Sequence, residues 1–484
     1  MGTLLRRGLF CLALFVALDS APAPCWYLDT PPIKAGSAKM ISAAVALQPA
    51  SPLSPGSPRT PLSVQLASLA ASSSLESFEV PAGCARLEKQ ENFHSFYVDP
   101  AAGSMKNDGS ASAPWSTLED VVAANLFYDR GKNSSAPIHP GDVIYLRSGN
   151  HGSPRFYGIV NSNFVTVKAA PGQVPTVARL EVNGVGKFIF EGLTFANTSN
   201  AILARIDQTS NFGASKDIVF IENTLYANLN VSSWTQADWV RNAPFAGFLT
   251  AGSCISILNN HFSNLKNGMQ IYSDDTIVAG NTIDFFGDDG IDIVGSNVTV
   301  KNNIITNNLN INDGNHNDGI QGWTFGDKTN SNVVISGNLV LNSVKTLPFP
   351  GSMQGISIFD GAWKNVRITD NIVASNLWHG ISLYASVSMS DAAVANNVVV
   401  ASDNAHCQTW LGVFKGSSGM VPINISVTDN LVSNLKITTP GVIASQNHRI
   451  INNTKVLQAV VDLYNSGHAA SYTNFLPLVA GSYR

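Results

Sequence analysis

A spaced series of nine asparagines runs from residue 223 to residue 453, each three positions after an apolar residue. The pairs are Phe220/Asn223, Ile257/Asn260, Val278/Asn281, Val300/Asn303, Ile335/Asn338, Ile368/Asn371, Val394/Asn397, Val427/Asn430 and Ile450/Asn453. Successive asparagines are 37, 21, 22, 35, 33, 26, 33 and 23 residues apart. A repeat with a floor near 21–22 residues and excursions above it is one structural unit carrying loop insertions.

A second register runs between these asparagines: Asn267-Gly-Met-Gln-Ile271, Asp289-Gly-Ile-Asp-Ile293, Asp318-Gly-Ile-Gln-Gly322, Gln354-Gly-Ile-Ser-Ile358 and His379-Gly-Ile-Ser-Leu383. Apolar and polar residues alternate within each, which is the signature of a strand with one buried face. Each unit therefore holds at least two short strands joined by turns. Such units are stable when they stack as coils, each covering its neighbour's strand edges. Equivalent asparagines then fall about 4.8 Å apart, close enough for their amides to satisfy one another and the turn backbone. A sandwich lacks such a repeat, and a propeller requires a period above about 40 residues. The fold class expected is all-β, a parallel β-helix. Composition agrees: charged residues are 13%, while 47 Asn and 39 Gly supply neutral polar turns.

These repeats resemble the right-handed parallel β-helix proteins of the pectate-lyase-like superfamily over about residues 160–460. The preceding segment, Phe96-Tyr-Val-Asp-Pro100, Asp108-Gly, Pro114-Trp-Ser-Thr-Leu118 and Gly141-Asp-Val-Ile-Tyr-Leu-Arg-Ser-Gly149, is similar to the opening of many carbohydrate-active β-helix enzymes. The resemblance implies a right-handed solenoid whose apolar end is closed by a capping helix at Leu118–Leu126. The expected organisation is a signal peptide at 1–23, an Ala/Ser/Pro-rich disordered spacer at 24–92, a cap and first coil at 93–160, the solenoid at 161–460, and a C-terminal cap or tail at 461–484.

Arg6 and Arg7, the apolar run Leu9–Leu18 and the small residues after it have the three regions of a secretory signal. The run of about ten residues is too short for a membrane span, which takes about 20. A secreted or periplasmic, monomeric protein is expected, with no membrane insertion once the signal is removed. A net charge of −4 argues against nucleic acid as a partner. Cys25, Cys84, Cys254 and Cys407 would remain after cleavage, and their irregular spacing excludes a zinc knuckle and a disulfide framework. Cys25–Cys84 is the one bridge considered.

Chemistry-bearing residues concentrate in coils 270–380. The position before the glycine carries Asn267, Asp289, Asp318, Gln354 and His379 in turn. Asp289 and Asp318, one coil apart, would lie roughly 5 Å from each other, so that one carboxyl pKa must rise. Strict alternation would turn Asp289 inward beside Ile291. It faces outward only if the chain bends just before Gly290. The candidate catalytic set is Asp289, Asp292, His316, Asp318 and His379. The candidate substrate-binding set is Gln321, Trp323, Trp378, Tyr384 and Lys415, with Trp363 and Trp410 as further stacking platforms. Calcium at Asp288, Asp289 and Asp318 is the cofactor considered. The partner expected is a polysaccharide.

Two mechanisms compete. In a lyase or C5-epimerase, His316 or His379 removes the proton beside a uronate carboxylate. Lys415, Arg367 or a cation neutralises that carboxylate, and Tyr384 supplies an acid. In a hydrolase, Asp289 and Asp318 act as general acid and base. Asp289-Gly-Ile-Asp292 and Trp378-His-Gly-Ile-Ser382 resemble strands of polygalacturonase-type hydrolases, and His316-Asn-Asp-Gly resembles the coils of alginate-type epimerases and lyases. A non-catalytic glycan-binding surface protein is the third reading.

Overall fold

The computed structural model describes residues 80–86, 93–128, 133–326, 328–342, 344–345, 347–402, 409–416, 419–467 and 472–484. Among the described residues three sheets of 13, 12 and 12 strands, parallel except where Gly213–Ala214 pairs antiparallel with Ile202–Thr209, run beside one another, and each coil visits them in a fixed order. Thr276–Ala279 lies in the first sheet, Thr282–Phe286 in the second and Ile291–Ile293 in the third, after which Val298–Lys301 returns to the first. Adjacent coils keep register on every side, pairing Val278 with Val300, Ile283 with Ile305 and Asp292 with Gln321. The interior is a column of apolar side chains, from stacked phenylalanines such as Phe220 and Phe248 (4.4 Å) to the aliphatic Ile257, Val278, Val300 and Ile335. The fold is the parallel β-helix that the repeat implied.

The asparagines form the expected ladder at the turn between the first and second sheets. Asn260 Nδ2 donates to Asn281 Oδ1 at 3.0 Å and to Phe220 O at 2.9 Å, and Asn281 Oδ1 also accepts the Asn260 backbone N–H. The same set recurs through Asn303, Asn338, Asn371 and Asn397 to Asn430. The ninth member is not Asn453. Asn430 Nδ2 reaches Asn447 at 2.9 Å, so the last step is 17 residues. Asn453 instead accepts from Ser433 Oγ and opens a helix.

The glycines of the second register form a column of their own in the third sheet. A Cβ on Gly268 would lie 2.4 Å from Gly290 O, one on Gly290 2.4 Å from Gly319 O, and one on Gly355 2.1 Å from Gly380 O. This glycine is an extra residue in the strand. Where the next coil lacks it, the pairing passes from His379↔Trp410 to Ile381↔Leu411 with Gly380 skipped. The bulge returns the residue before the glycine and the residue three later to one side, and His379 Nδ1 meets Ser382 Oγ at 2.8 Å as a result.

The capping helix runs Leu118–Ala123, three residues shorter than expected. Thr117 accepts from Asp120 N, Leu118 and Val121 enter the core, and Asn125 turns left-handed at φ 54°. At the other terminus, helix Asn453–Ser466 lies along the outer side of the second sheet. Val456 and Val460 pack there against Ile372, Val398 and Val400. The C-terminal segment therefore covers a flank. Cys84 is bonded to Cys254, 170 residues away, in place of the pairing with Cys25. Ala85 N donates to Asp217 Oδ1 at 2.8 Å, so residues 80–86 lie on the solenoid's surface. Cys25, Cys407, the signal segment and most of the spacer lie outside the described residues. Among the described residues no helix is long and apolar enough to cross a membrane.

Candidate functional site

The outer face of the third sheet carries three rows of side chains, one residue per coil. The first holds the residues before the glycine: Asn267, Asp289, Asp318, Gln354, His379. The second runs Gln270, Asp292, Gln321, Ser357, Ser382, Gly412 and Lys436, linked by strand register. The third, one residue past the strand ends, is mostly aromatic: Tyr272, Val294, Trp323, Phe359, Tyr384, Phe414.

Asp288, Asp289, Asp292, His316 and Asp318 come together. Asp289 and Asp318 lie in adjacent coils, but they are not an exposed acid–base pair. Both are buried, and Asp289 Oδ1 accepts the Asp318 backbone N–H at 2.8 Å. Asp318, fully buried, turns its carboxylate to His316, with Oδ2 2.8 Å from Nδ1. The His316 side chain is 54% exposed and presents the other edge of its ring outward. That hydrogen bond is the main cause that holds the imidazole pKa above its ordinary value.

Asp292 accepts from Gln270 Nε2 at 3.0 Å and is 2% exposed. Burial, with the Asp318 charge adding, pushes its carboxyl up to about 7. Burial and the facing Asp313 carry Asp288 up to about 8, against the opposing pull of Lys266. Asp289 is raised well above the usual carboxylate range by burial and then by Asp292. Carboxyls so raised hold their protons close to neutral pH.

The loop carrying His316 is fixed by a satellite core outside the solenoid. Helix Gln236–Asn242, closed by a capping box at Thr235 and Asp238, buries Trp239 against Leu309 and Ile311. Gln236 Nε2 donates to Asn310 O at 2.8 Å.

The remaining candidates lie elsewhere on the face. Gln321 flanks Asp292 one coil on, and Trp323 packs edge-on to Tyr272 (5.8 Å) and Phe325 (4.6 Å). His379 stands two coils beyond Asp318, among Phe359, Trp410 and Phe414, where burial lowers its pKa to about 4. Trp378 is stacked on Trp410, and Tyr384 is edge-on to Phe359 and Phe414. Trp363 is a core residue, its indole N–H bonded to Asp360 O, and is no sugar platform. Arg367 belongs to the first sheet, away from this face. The cation brought onto the aromatic set is Lys436 in place of Lys415, with Nζ 3.9 Å from the Trp410 ring centre. Sequence reading missed Lys436 because its strand, Asn434–Ile437, has no glycine bulge and so lies outside the second register.

Carboxylate oxygens are the right donors for calcium, and Asp288 Oδ1, Asp292 Oδ1 and Asp318 Oδ1 are buried without hydrogen-bond partners. The expected ligands Asp288, Asp289 and Asp318 diverge, however, toward Asp313, a backbone amide and His316 respectively. Among the described residues, the group of three whose ligand atoms lie within 4.8 Å of one another is Cys84, Asp217 and Cys254, and its cysteines are joined in the disulfide. The cluster fits shared protons better than a preformed cation cradle.

With this geometry in place, residues 246–456 match the family model described as the right handed beta helix region. The chain is a right-handed parallel β-helix. This β-helix is similar to a crystal structure of a pectate lyase at 16% identity, covering 74% of this chain and 80% of that one with a TM-score of 0.33. It is similar to the A-module of a mannuronan C-5 epimerase from Azotobacter vinelandii at 13% identity, with 72% and 94% covered and a TM-score of 0.37. It is also similar to PfbA, a surface adhesin of Streptococcus pneumoniae, at 10% identity, with 68% and 85% covered and a TM-score of 0.41. A comparison with curated proteins finds no match. These solved β-helices include enzymes and an adhesin, so activity has to be argued from this chain's own residues.

Proposed function

We propose that the protein is an exported enzyme that acts on a uronate-containing polysaccharide by removing the proton beside the uronate carboxylate, as a lyase or C5-epimerase. The observation that carries this reading is the His316–Asp318 pair: a buried carboxylate fixes and strengthens an imidazole whose other edge is exposed on the face. That is the arrangement of an oriented general base. The protonated carboxyl of Asp292 supplies the second requirement. It can donate a hydrogen bond to the substrate carboxylate and so stabilise the charge that develops when the carbon-bound proton leaves. Breaking the C–O bond at the neighbouring carbon, with the departing oxygen taking up the proton that His316 removed, gives elimination; delivery of a solvent proton to the opposite face of the carbon, while His316 gives its own proton up to water, gives epimerisation.

Hydrolysis is the second reading. It is favoured by Asp292 itself, since a carboxyl titrating at about 7 suits protonation of a glycosidic oxygen. Export is supported by the Cys84–Cys254 bridge, because such bonds persist in oxidising compartments.

Incubation with alginate and with polygalacturonate tests the proposal. Elimination raises absorbance near 235 nm, and epimerisation changes the NMR spectrum of the polymer without cleaving it. Reducing ends without absorbance would replace this reading with hydrolysis. No change by any of the three measurements, with glycan still bound, would leave a binding protein.

A further inference from the structure

Beyond the acidic cluster the third-sheet face ends in a second group of side chains that the proposed chemistry does not use. Trp378 and Trp410 stack nearly parallel, 6.2 Å between ring centres and 14° between planes. Trp378 is 36% exposed and offers a ring to solvent, whereas Trp410 is 9% exposed and its buried indole N–H has no hydrogen-bond partner. Lys436 Nζ sits 3.9 Å from the Trp410 ring centre and 5.8 Å from that of Phe414. Among the described residues no carboxylate pairs with Lys436 within 4.0 Å. The exposed ammonium, held over an indole ring with no carboxylate beside it, is open to an anionic acceptor from solvent, whereas the Trp410 N–H is closed off. The exposed ring of Trp378, stacked on Trp410, suits the apolar side of a sugar ring.

We propose that Lys436 and Trp378, set about the Trp410 ring, form a distal subsite for anionic sugars of the polysaccharide, with a sugar carboxylate held by Lys436 and a sugar ring lying on Trp378. The subsite rests on the reading of the face as a polysaccharide platform and gives that platform a length. Asp292 connects to Lys436 through Gln321, Ser357, Ser382 and Gly412, five strand steps in register. At about 4.8 Å per step the two are roughly 24 Å apart. One sugar cannot touch both, so the anchor serves chains of several residues.

Affinity electrophoresis of the full chain in gels containing polygalacturonate, alginate, chondroitin sulfate or dextran tests the subsite. The wild type is expected to be retarded by the two polyuronates and not by dextran. Lys436→Gln should weaken that retention about tenfold or more, Trp378→Ala should also weaken it, and Lys436→Arg should preserve it. Asp292→Asn separates the two claims: it should stop turnover while retention in the polyuronates persists. In kinetics on long chains Lys436→Gln should raise KM and spare kcat. Unchanged retention of Lys436→Gln, or equal retention by uncharged dextran, would overturn the subsite while leaving the chemistry at His316 untouched. Loss of retention in Lys436→Gln with no turnover by any enzyme form would support the subsite and count against that chemistry.

Discussion

The side chain of Asp289 caps the backbone of Asp318 in the next coil, its Oδ1 accepting that N–H at 2.8 Å. Asn267 does the same for Asp289, at 3.2 Å. The residue before the glycine thus joins one coil to the next before it does anything else. Asp289→Asn keeps an acceptor at this place and should leave thermal stability close to wild type. Asp289→Leu leaves a buried N–H unmet and should cost about 1–3 kcal/mol. Thermal unfolding of the two variants checks this.

Stability should fall as pH rises through neutrality. Asp288, Asp289 and Asp292 hold their protons more tightly folded than unfolded, so the unfolded chain releases them first, from about pH 4 upward. The loss accumulates until the folded groups titrate, at about 7 for Asp292 and about 8 for Asp288. Each tenfold difference in proton affinity between the folded and unfolded chain is worth about 1.4 kcal/mol. Asp292→Asn should flatten the decline of Tm between pH 5 and pH 8, and an equally steep decline in the variant would count against the assignment.

Activity should follow a narrow bell near neutral pH. His316 must lose its proton to act as base, and its pKa is raised by Asp318. Asp292 must keep its proton, and it titrates at about 7. The two limbs belong to the coupled cluster as a whole. His316→Gln should lower kcat by about 100-fold or more, the contribution of a general base, without changing the circular dichroism spectrum.

Gly290→Ala should be strongly destabilising, because its Cβ would lie 2.4 Å from Gly319 O and 2.7 Å from Ile305 Cγ2. Gly186→Ala meets nothing nearer than 3.1 Å, a methyl of Val160, and has no such backbone clash. Urea unfolding should separate the pair clearly.

Reduction of Cys84–Cys254 should lower the unfolding midpoint, by about 2–4 kcal/mol in stability if it behaves as a typical bridge. It should also expose residues 80–86 to protease. Equal proteolysis with and without reductant would show that the bridge does not hold this segment.

The asparagine repeat made the fold legible because each Asn does the same work in every coil. The exception, Asn447, was hidden by a step of 17 residues and by Asn453 standing where the spacing led. The flank under the C-terminal helix was written in the runs Leu339–Leu341 and Val398–Ala401, apolar on both faces, which mark strands covered on both sides. The site was less legible. Asp289, Asp292 and Asp318 announced themselves by spacing, but whether each faces backbone, imidazole or substrate depends on the bulge at the glycine. Lys436 depends on cross-strand register, which no local pattern carries.

The ladder holds equivalent positions level even though consecutive asparagines are 17 to 37 residues apart. It acts as a ruler that ignores the length of whatever is strung between its marks. Loops can lengthen or shorten without moving Asp292 relative to Lys436. A chain built on this plan can change what borders its third-sheet face by exchanging loops while the spacing along that face stays constant.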